Sequence, residues 1–368
     1  MPEPLKNIYT PEFVAQLCSS WKALLPDLNA KQFAKSIFED NWTVLELKQR
    51  MSRLAEVTAK ELPSDFKVAG PLLRKMIIQL VNEGAQVGGF EYMFVPEIVL
   101  NLGIEHWKES MITIEFITKH TSCEFAIRPF ILKYEERTMQ QMLQWSTHSH
   151  QNVRRLSSEG CRSRLPWSMA LPRFKKDATS LVRILENLKA DDSLFVRKSV
   201  ANNLNDISKD LPDLALLLAK KWHGKNDYSN WIVKHGMRTL LKSGNPKAMA
   251  LFGYADVSGL ALSSFELNQR EIDFGESISF NFTIENKTTK SATVRLEYAV
   301  YLMKKNGRQT KKVFKITERD FRSNEKLLLS KIHPFKPINT RKYYSGEHGI
   351  ALVINGTEFK KHSFLLNI

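Results

Sequence analysis

The chain changes rhythm once. From Thr10 to about Gly253 apolar residues recur every three or four positions, the period of helices with one buried stripe. Thr10-Pro11 and Leu211-Pro212-Asp213 supply helix-start signals within it. From about Ser258 the period falls to two, as in Ile278, Phe280, Phe282, Ile284 and again in Val294, Leu296, Tyr298, Val300. Turn signals at Lys305-Asn306-Gly307 and Asn355-Gly356 separate such runs, which predicts an antiparallel β domain. Closely spaced short strands over roughly 110 residues predict a sandwich, of which the immunoglobulin-like form is the commonest. The expected chain is mainly α: a helical domain over 1–256, then an all-β domain over 257–368, with the boundary near Asp256.

The helical part echoes itself. QNVRRLSSEG at 151–160 can be laid over LFVRKSVANN at 194–203, 43 residues later, with Val-Arg and a second basic residue in register. Fainter copies are CEFAIR at 123–128 and SNWIVKHG at 229–236. Successive intervals of roughly 26, 43 and 36 residues fit degenerate helical pairs of HEAT type, whereas regular tetratricopeptide or ankyrin repeats do not fit. Such pairs stack into a curved solenoid whose concave wall suits an extended partner such as a duplex.

At 368 residues the chain is long enough for two domains, each with its own core. Charge then narrows the partner. The 54 Lys and Arg against 39 Asp and Glu leave a formal net charge of +15, which points to an acidic polymer or an anionic surface. Residues 137–176 hold eight cations and one acid, Glu159, while 303–342 hold thirteen against three. A single charge run is usually a solvated face, but two on separate domains favour a polyanion. With 43% hydrophobic and 25% charged residues, a wholly disordered basic tail is excluded. Cys18, Cys123 and Cys161 lie far apart without a CxxC pair, which argues against a disulfide framework or structural zinc and fits a reducing cytosol. The start MPEPLKNIYTPEF lacks the apolar core of a secretory signal, and no stretch approaches the roughly 20 apolar residues of a membrane helix. A soluble, cytoplasmic protein is expected.

Projecting 153–164 on a helix puts Val153, Leu156 and Gly160 on one side and Arg155, Glu159 and Arg162 on the other. Over 194–207 Val196, Val200 and Ile207 make the buried side, and Lys198, Asn202 and Asp206 form a stripe at i, i+4, i+8. In the repeat alignment Arg155 matches Lys198 and Glu159 matches Asn202, so parallel stacking sets Glu159 and Asp206 on one basic wall. An acid there costs phosphate affinity and needs a reason. One reason is structural: Glu159 pairs along its own helix with Arg155 and Arg162, and Asp206 finishes a helix before Ser208-Lys209-Asp210. The other is chemical. Cleaving an N-glycosidic bond builds an oxocarbenium-like sugar, which a carboxylate stabilises while orienting or deprotonating water, with neither metal nor cofactor. Trp167 in RSRLPWSMAL sits in a connection between repeats. A core tryptophan is the default, but Arg162, Arg164 and Arg173 around it strengthen the case for an indole that packs on a base, a sugar or a cationic lesion. His148-Ser149-His150 has no acid or cysteine at ligand spacing and precedes a helix, so it reads as capping rather than metal binding. No GxSxG, Walker A or GxGxxG run occurs, and Cys161 reads as a helix core residue rather than a nucleophile.

HSHQNVRRLSSEGCRSRLPW at 148–167 and VRKSVANNLNDISKD at 196–210 resemble the AlkC family of bacterial DNA alkylation-repair glycosylases. The division into a helical-repeat domain and a C-terminal immunoglobulin-like domain extends the resemblance to essentially the whole chain. The resemblance places the chain with AlkD in a HEAT-like superfamily that cradles duplex DNA on a basic concave face. It implies monofunctional, metal-independent excision of 3-methyladenine and 3-methylcytosine from double-stranded DNA, without a cofactor and with the base left largely stacked. By motif it places acids around the lesion at Glu159 in SSEG, Asp206 in NLND and Glu124 in SCEF, and an aromatic at Trp167 in LPW. Arg154 and Arg155 match the run that lines the DNA cleft, with Arg197 and Lys198 as their echo, and His150, Arg162 and Arg164 complete the expected DNA-facing set. A base alkylated at N3 already carries positive charge and needs no protonation to leave, so 8-oxoguanine and uracil are expected to be poor substrates. The basic stretch with Lys304, Lys305, Arg308, Lys311 and Lys312 is expected either to clamp the DNA backbone or to cap the solenoid. A monomer is expected. Two rivals stay open: a non-catalytic HEAT-repeat scaffold that binds DNA or an acidic protein, and a nuclease whose acids hold magnesium.

Overall fold

A computed structural model describes residues 3–254, 256–338 and 341–368, and the chain divides into two compact units, Met1–Gly236 and Met237–Ile368. Every described element of the first unit is a helix. Short polar side chains and prolines set the starts. Thr10 Oγ1 accepts from the Phe13 N–H at 3.2 Å ahead of the helix Pro11–Trp21, and Pro212 opens Pro212–Trp222, where a missing N–H costs nothing. No helix among the described residues is long and apolar enough to cross a membrane.

The helical repeat is visible in side-chain bonds. The helices Gln151–Glu159 and Leu194–Asp210 pack side by side. Ser193 Oγ donates to Gln151 Oε1 at 2.6 Å at their starts, and Asn203 Nδ2, past the middle of its helix, donates to the Ser158 carbonyl near the end of the other at 2.9 Å, so the two run parallel. The first arginine of each Val-Arg pair does the same work in each copy. Arg154 Nη1 donates to the carbonyls of His148 (3.0 Å) and Ser149 (2.9 Å), and Arg197 Nη1 to those of Asp191 and Asp192 (2.8 Å each). Leu194–Asp210 packs in turn on Asp227–Gly236, while Glu135–Trp145 packs on Thr179–Leu188 in the other layer. Buried Trp145, Leu156, Ile184, Leu204 and Trp222 fill the space between, at about 1.5–3 kcal/mol for each large apolar side chain removed from water.

The second unit carries nine strands: β1 (Leu260–Leu267), β2 (Glu271–Asp273), β3 (Ser277–Asn286), β4 (Ala292–Met303), β5 (Gln309–Phe321), β6 (Lys326–Pro334), β7 (Gly346–Ile354), β8 (Thr357–Glu358) and β9 (His362–Asn367). One sheet has the order β1-β3-β6, and the other β2-β9-β7-β4-β5 with β8 added to β7. The alternating residues of β3 and β4 lie buried between them, as the period of two predicts. Asn355 (φ 47°) and Gly356 (φ 80°) adopt the left-handed conformations that the two-residue turn between β7 and β8 requires. The expected wholly antiparallel pattern has an exception. β2 and β9 are parallel, because the short link after β1 carries three residues across to the other sheet instead of turning back as a hairpin.

The change from helix to strand falls where the period changes, between the helix Pro246–Leu251 and β1. The compact unit nevertheless begins at Met237, about twenty residues before the expected boundary at Asp256. Backbone contact explains the difference. A Cβ on Gly244 would lie 2.6 Å from the Gly356 carbonyl oxygen, and Tyr254 forms a β-bridge with Thr293, so the last two helices are tied to the strands that follow them.

Candidate active site

After Glu159 the chain runs in turns and bends to Pro172. Arg128, in the helix Ile127–Lys133, fixes this loop at three carbonyls: Nε donates to Met169 (2.8 Å), and Nη1 donates to Gly160 (2.9 Å) and Arg162 (2.8 Å). The guanidinium is fully buried, and that burial lowers its pKa to about 10. Gly160 permits the close approach, since a Cβ there would meet Ile127 Cγ2 at 2.6 Å.

This anchoring builds a ladder of alternating charge. Glu124 Oε2 accepts from Ser122 Oγ (2.7 Å) and from Arg155 Nη1 (2.7 Å). Arg155, with its guanidinium over the Phe195 ring at 4.5 Å, reaches on to Glu159 Oε1 at 3.9 Å. The same oxygen accepts from Arg162 Nη1 at 2.7 Å, and Arg162 Nε donates to Asp206 Oδ2 at 2.9 Å. Lys209 Nζ closes the series on Asp206 Oδ1 at 3.0 Å. Burial alone would lower the Arg162 pKa, but Glu159 and Asp206 on either side raise it above the ordinary arginine value. The three acids named from sequence therefore stand in one continuous network.

Their setting differs from the expected open wall. Glu159, Arg162 and Asp206 are buried. The helix expected to run to 164 ends at Glu159, so Arg162 bonds both acids from the loop that follows, beside the neighbouring helix Leu194–Asp210. Asp206 does not end a helix, since its helix continues to Asp210. Trp167 stands on the anchored loop with 61% of its surface exposed, which removes the core reading. Its backbone is left-handed (φ 62°); its carbonyl accepts from Lys48 Nζ at 2.7 Å, and Phe90 meets the ring edge-on at 6.0 Å.

The expected DNA-facing residues separate by what holds them in place. His150 caps its helix: Nδ1 accepts from the Asn152 N–H at 3.2 Å, and burial, aided by Lys119, His148 and Arg154, lowers its pKa and favours the neutral acceptor. Arg154 and Arg197 staple helix starts, and Arg154 also holds Asp191 with two bonds (2.6 and 3.0 Å). Arg155 and Arg162 are rungs of the ladder, and Arg164 pairs with Asp210. Lys198 is exposed, as are Lys305 and Arg308, while Lys304 is half-buried at the hairpin between β4 and β5. Arginines that bond carbonyls and carboxylates in this way are held in place by the fold, which charge counting does not reveal. Cys161 is fully buried, and burial pushes its thiol up to about 12, as for a packing residue. Sequence reading passed over Arg128, Lys48, Ser122 and Phe195. Only Arg128 left a signal, as the basic residue of the CEFAIR echo.

Comparison with known proteins supplies the family. Residues 114–240 match the model of the DNA alkylation repair enzyme family, and residues 261–368 match that of the YhaZ C-terminal immunoglobulin-like domain. The chain is 40% identical to the uncharacterised protein YhaZ of Bacillus subtilis (strain 168) over 352 residues, 96% of each chain. The alkylpurine DNA glycosylase AlkC of Pseudomonas fluorescens, solved with DNA containing an abasic-site analogue, superposes with a TM-score of 0.93 at 33% identity over the whole of both chains. With 40% identity to YhaZ over 96% of both chains and 33% identity to AlkC over the full length of both, the chain belongs to the AlkC family of DNA alkylation repair proteins.

Proposed function

We propose that this protein is a monofunctional, metal-independent DNA glycosylase that hydrolyses the N-glycosidic bond of cationic bases alkylated at N3, 3-methyladenine and 3-methylcytosine, in double-stranded DNA. The observation that carries the reading is the asymmetry of Glu159. Both arginines bind Oε1, whereas Oε2 has no partner among the described residues and is not among their sealed, unpartnered polar atoms. The carboxylate is thus oriented by its neighbours and keeps one oxygen for a ligand. Glu124 is arranged alike, with both of its donors on Oε2. Asp206 has both oxygens engaged and acts as a positioning residue through Arg162.

The chemistry suits this geometry. A cationic base departs as a neutral molecule, so the positive charge moves to the sugar in the transition state and no acid catalyst is needed. A carboxylate about 4 Å from that charge, at an effective dielectric of about 20, is worth about 4 kcal/mol, close to three powers of ten in rate. It also accepts the proton of the attacking water. Because the bond is already labile, the base can leave from within the stack, and what the protein must supply is charge and water.

The test is release of 3-methyladenine and 3-methylcytosine from methylated duplex DNA in EDTA, followed by chromatography. Wild type should release the bases, and Glu159→Gln should be about 100- to 1,000-fold slower with DNA binding retained. Asp206→Asn should lose less, because it acts through Arg162. Binding without release by wild type would favour a scaffold and reduce the ladder to structural ion pairs.

A further inference from the structure

The loop that carries Trp167 is lightly packed around that residue. Leu165 and Leu171 are buried, but Pro166, Trp167, Met169 and Ala170 between them are exposed. Ser168 and Met169 also border a cavity of about 160 Å³, which lies against the helices Leu47–Lys60 and Val95–Gly103. Atoms that face a void lose contact partners on that side, so packing does little to hold this stretch. Polar bonds to its backbone hold it instead. The Ser168 N–H donates to the Leu165 carbonyl at 3.4 Å, a long bond, whereas Arg128 Nε reaches the Met169 carbonyl at 2.8 Å and Lys48 Nζ the Trp167 carbonyl at 2.7 Å. Lys48 thus grips the left-handed residue of the loop, in a conformation that a bulky side chain keeps only where its surroundings impose it.

This tether comes from far away in the chain. Lys48 stands in the first turn of Leu47–Lys60, 119 residues before Trp167. Its ammonium also lies over the Phe125 ring, 5.2 Å from the centroid, and Phe125 follows Glu124, the first acid of the ladder. One ammonium therefore touches both the loop with the indole and the turn with that acid. Phe90, in the short helix Phe90–Phe94, adds the edge contact to the indole at 6.0 Å. Both supports belong to helices that precede the ladder in the chain.

We propose that Lys48 is a positioning residue: it fixes the Trp167 indole near the Glu124 end of the ladder, ready to pack on a sugar or base of bound duplex DNA. Its consequence for catalysis rests on the glycosylase reading above. An indole that is 61% exposed offers a flat face of the kind that stacks on nucleotides. Held in place before the DNA arrives, it loses less freedom on binding than an indole on a loose loop. Without the tether the loop must be ordered by the DNA itself, so affinity and base release fall together.

The experiment uses the full chain with Lys48→Met, Trp167→Gly and the two combined. Methionine keeps the aliphatic stem and removes the donor, and Lys48 is exposed, so no core packing is lost. In protein labelled with 5-fluorotryptophan, the fluorine resonance of Trp167 is assigned by its disappearance in Trp167→Gly. Lys48→Met should move that resonance toward the position of free tryptophan and leave the others in place. Release of 3-methyladenine from methylated duplex DNA should fall about 3- to 10-fold in kcat/KM, as for one lost hydrogen bond. In the Trp167→Gly background the same change should cost less than about twofold, because no indole remains to be placed. The salt dependence of duplex binding should stay as in wild type, whereas loss of a phosphate ligand would lower its slope by about one. An unmoved Trp167 resonance, an equal fall without the indole, or a slope lower by about one overturns the proposal, the last making Lys48 a phosphate contact. If wild type releases no base, the glycosylase reading fails by itself, and duplex affinity across the same set of proteins decides the role of Lys48 by the same comparison.

Discussion

Replacing Arg162 with methionine isolates the central rung of the ladder. Its guanidinium, with a side chain only 8% exposed, bonds Glu159 at 2.7 Å and Asp206 at 2.9 Å, and those acids are 7% and 1% exposed. Methionine preserves most of the volume and removes the charge. Two buried carboxylates would then face each other with Arg155 at 3.9 Å from one and Lys209 at 3.0 Å from the other. Removing one partner of a buried pair costs about 3–5 kcal/mol, because the remaining charge stays desolvated. Two stranded acids place this variant toward the upper end. Urea unfolding of the helical unit, at about 1–3 kcal/mol per molar, should show a midpoint about 2–5 M lower. Adding Asp206→Asn should restore a large part of the loss, since it removes one of the stranded charges. Arg173→Met is the control: Arg173 also pairs with an acid, Glu135, at 2.9 Å, but its side chain is 70% exposed, and such a pair is worth about 1 kcal/mol or less. If Arg162→Met cost no more than Arg173→Met, or if Asp206→Asn deepened the loss, the ladder would not be the buried electrostatic unit described above.

Two further outcomes follow from exposure and backbone geometry. Trp167→Gly should leave stability within about 1 kcal/mol, because relief of a left-handed residue, about 1–2 kcal/mol, offsets the entropy that glycine loses and the ring is largely exposed. DNA affinity should fall in the same variant; a loss of stability above about 2 kcal/mol, or unchanged affinity, would make the indole a packing group. Joint replacement of Lys304, Lys305 and Arg308 by Ala should weaken DNA binding evenly across sequences and reduce the salt dependence by about three contacts, as for phosphate ligands. An unchanged salt slope would reassign the hairpin to solubility.

The ladder also bears on how a repair enzyme keeps acids near a polyanion. Glu124, Glu159 and Asp206 alternate with Arg155, Arg162 and Lys209, so the cluster is balanced in charge as a whole. Only the oxygens turned away from the arginines present local negative potential. A phosphate would therefore meet little net repulsion, while under the proposed function a sugar cation formed beside Glu159 would meet an uncommitted oxygen.

Much of this was legible in one dimension. The switch from a period near 3.6 to a period of two fixed the helical and strand parts, because a helix and a half-buried strand cannot share a hydrophobic pattern. The Val-Arg echo gave the repeat, since Arg154 and Arg197 do the same job in successive copies. Glu124, Glu159, Asp206 and Trp167 were marked by motif. Tertiary structure decided the rest. Periodicity places Glu159 and Arg162 on one helix face opposite the core, but it cannot know that the helix ends at Glu159 or that a neighbouring repeat packs there; tertiary structure buried both and joined Glu159 to Asp206, 47 residues apart, through the guanidinium of the loop residue Arg162. The count of basic residues could not separate arginines that staple carbonyls from lysines left in water, because that division depends on which acceptors the fold brings within 3 Å.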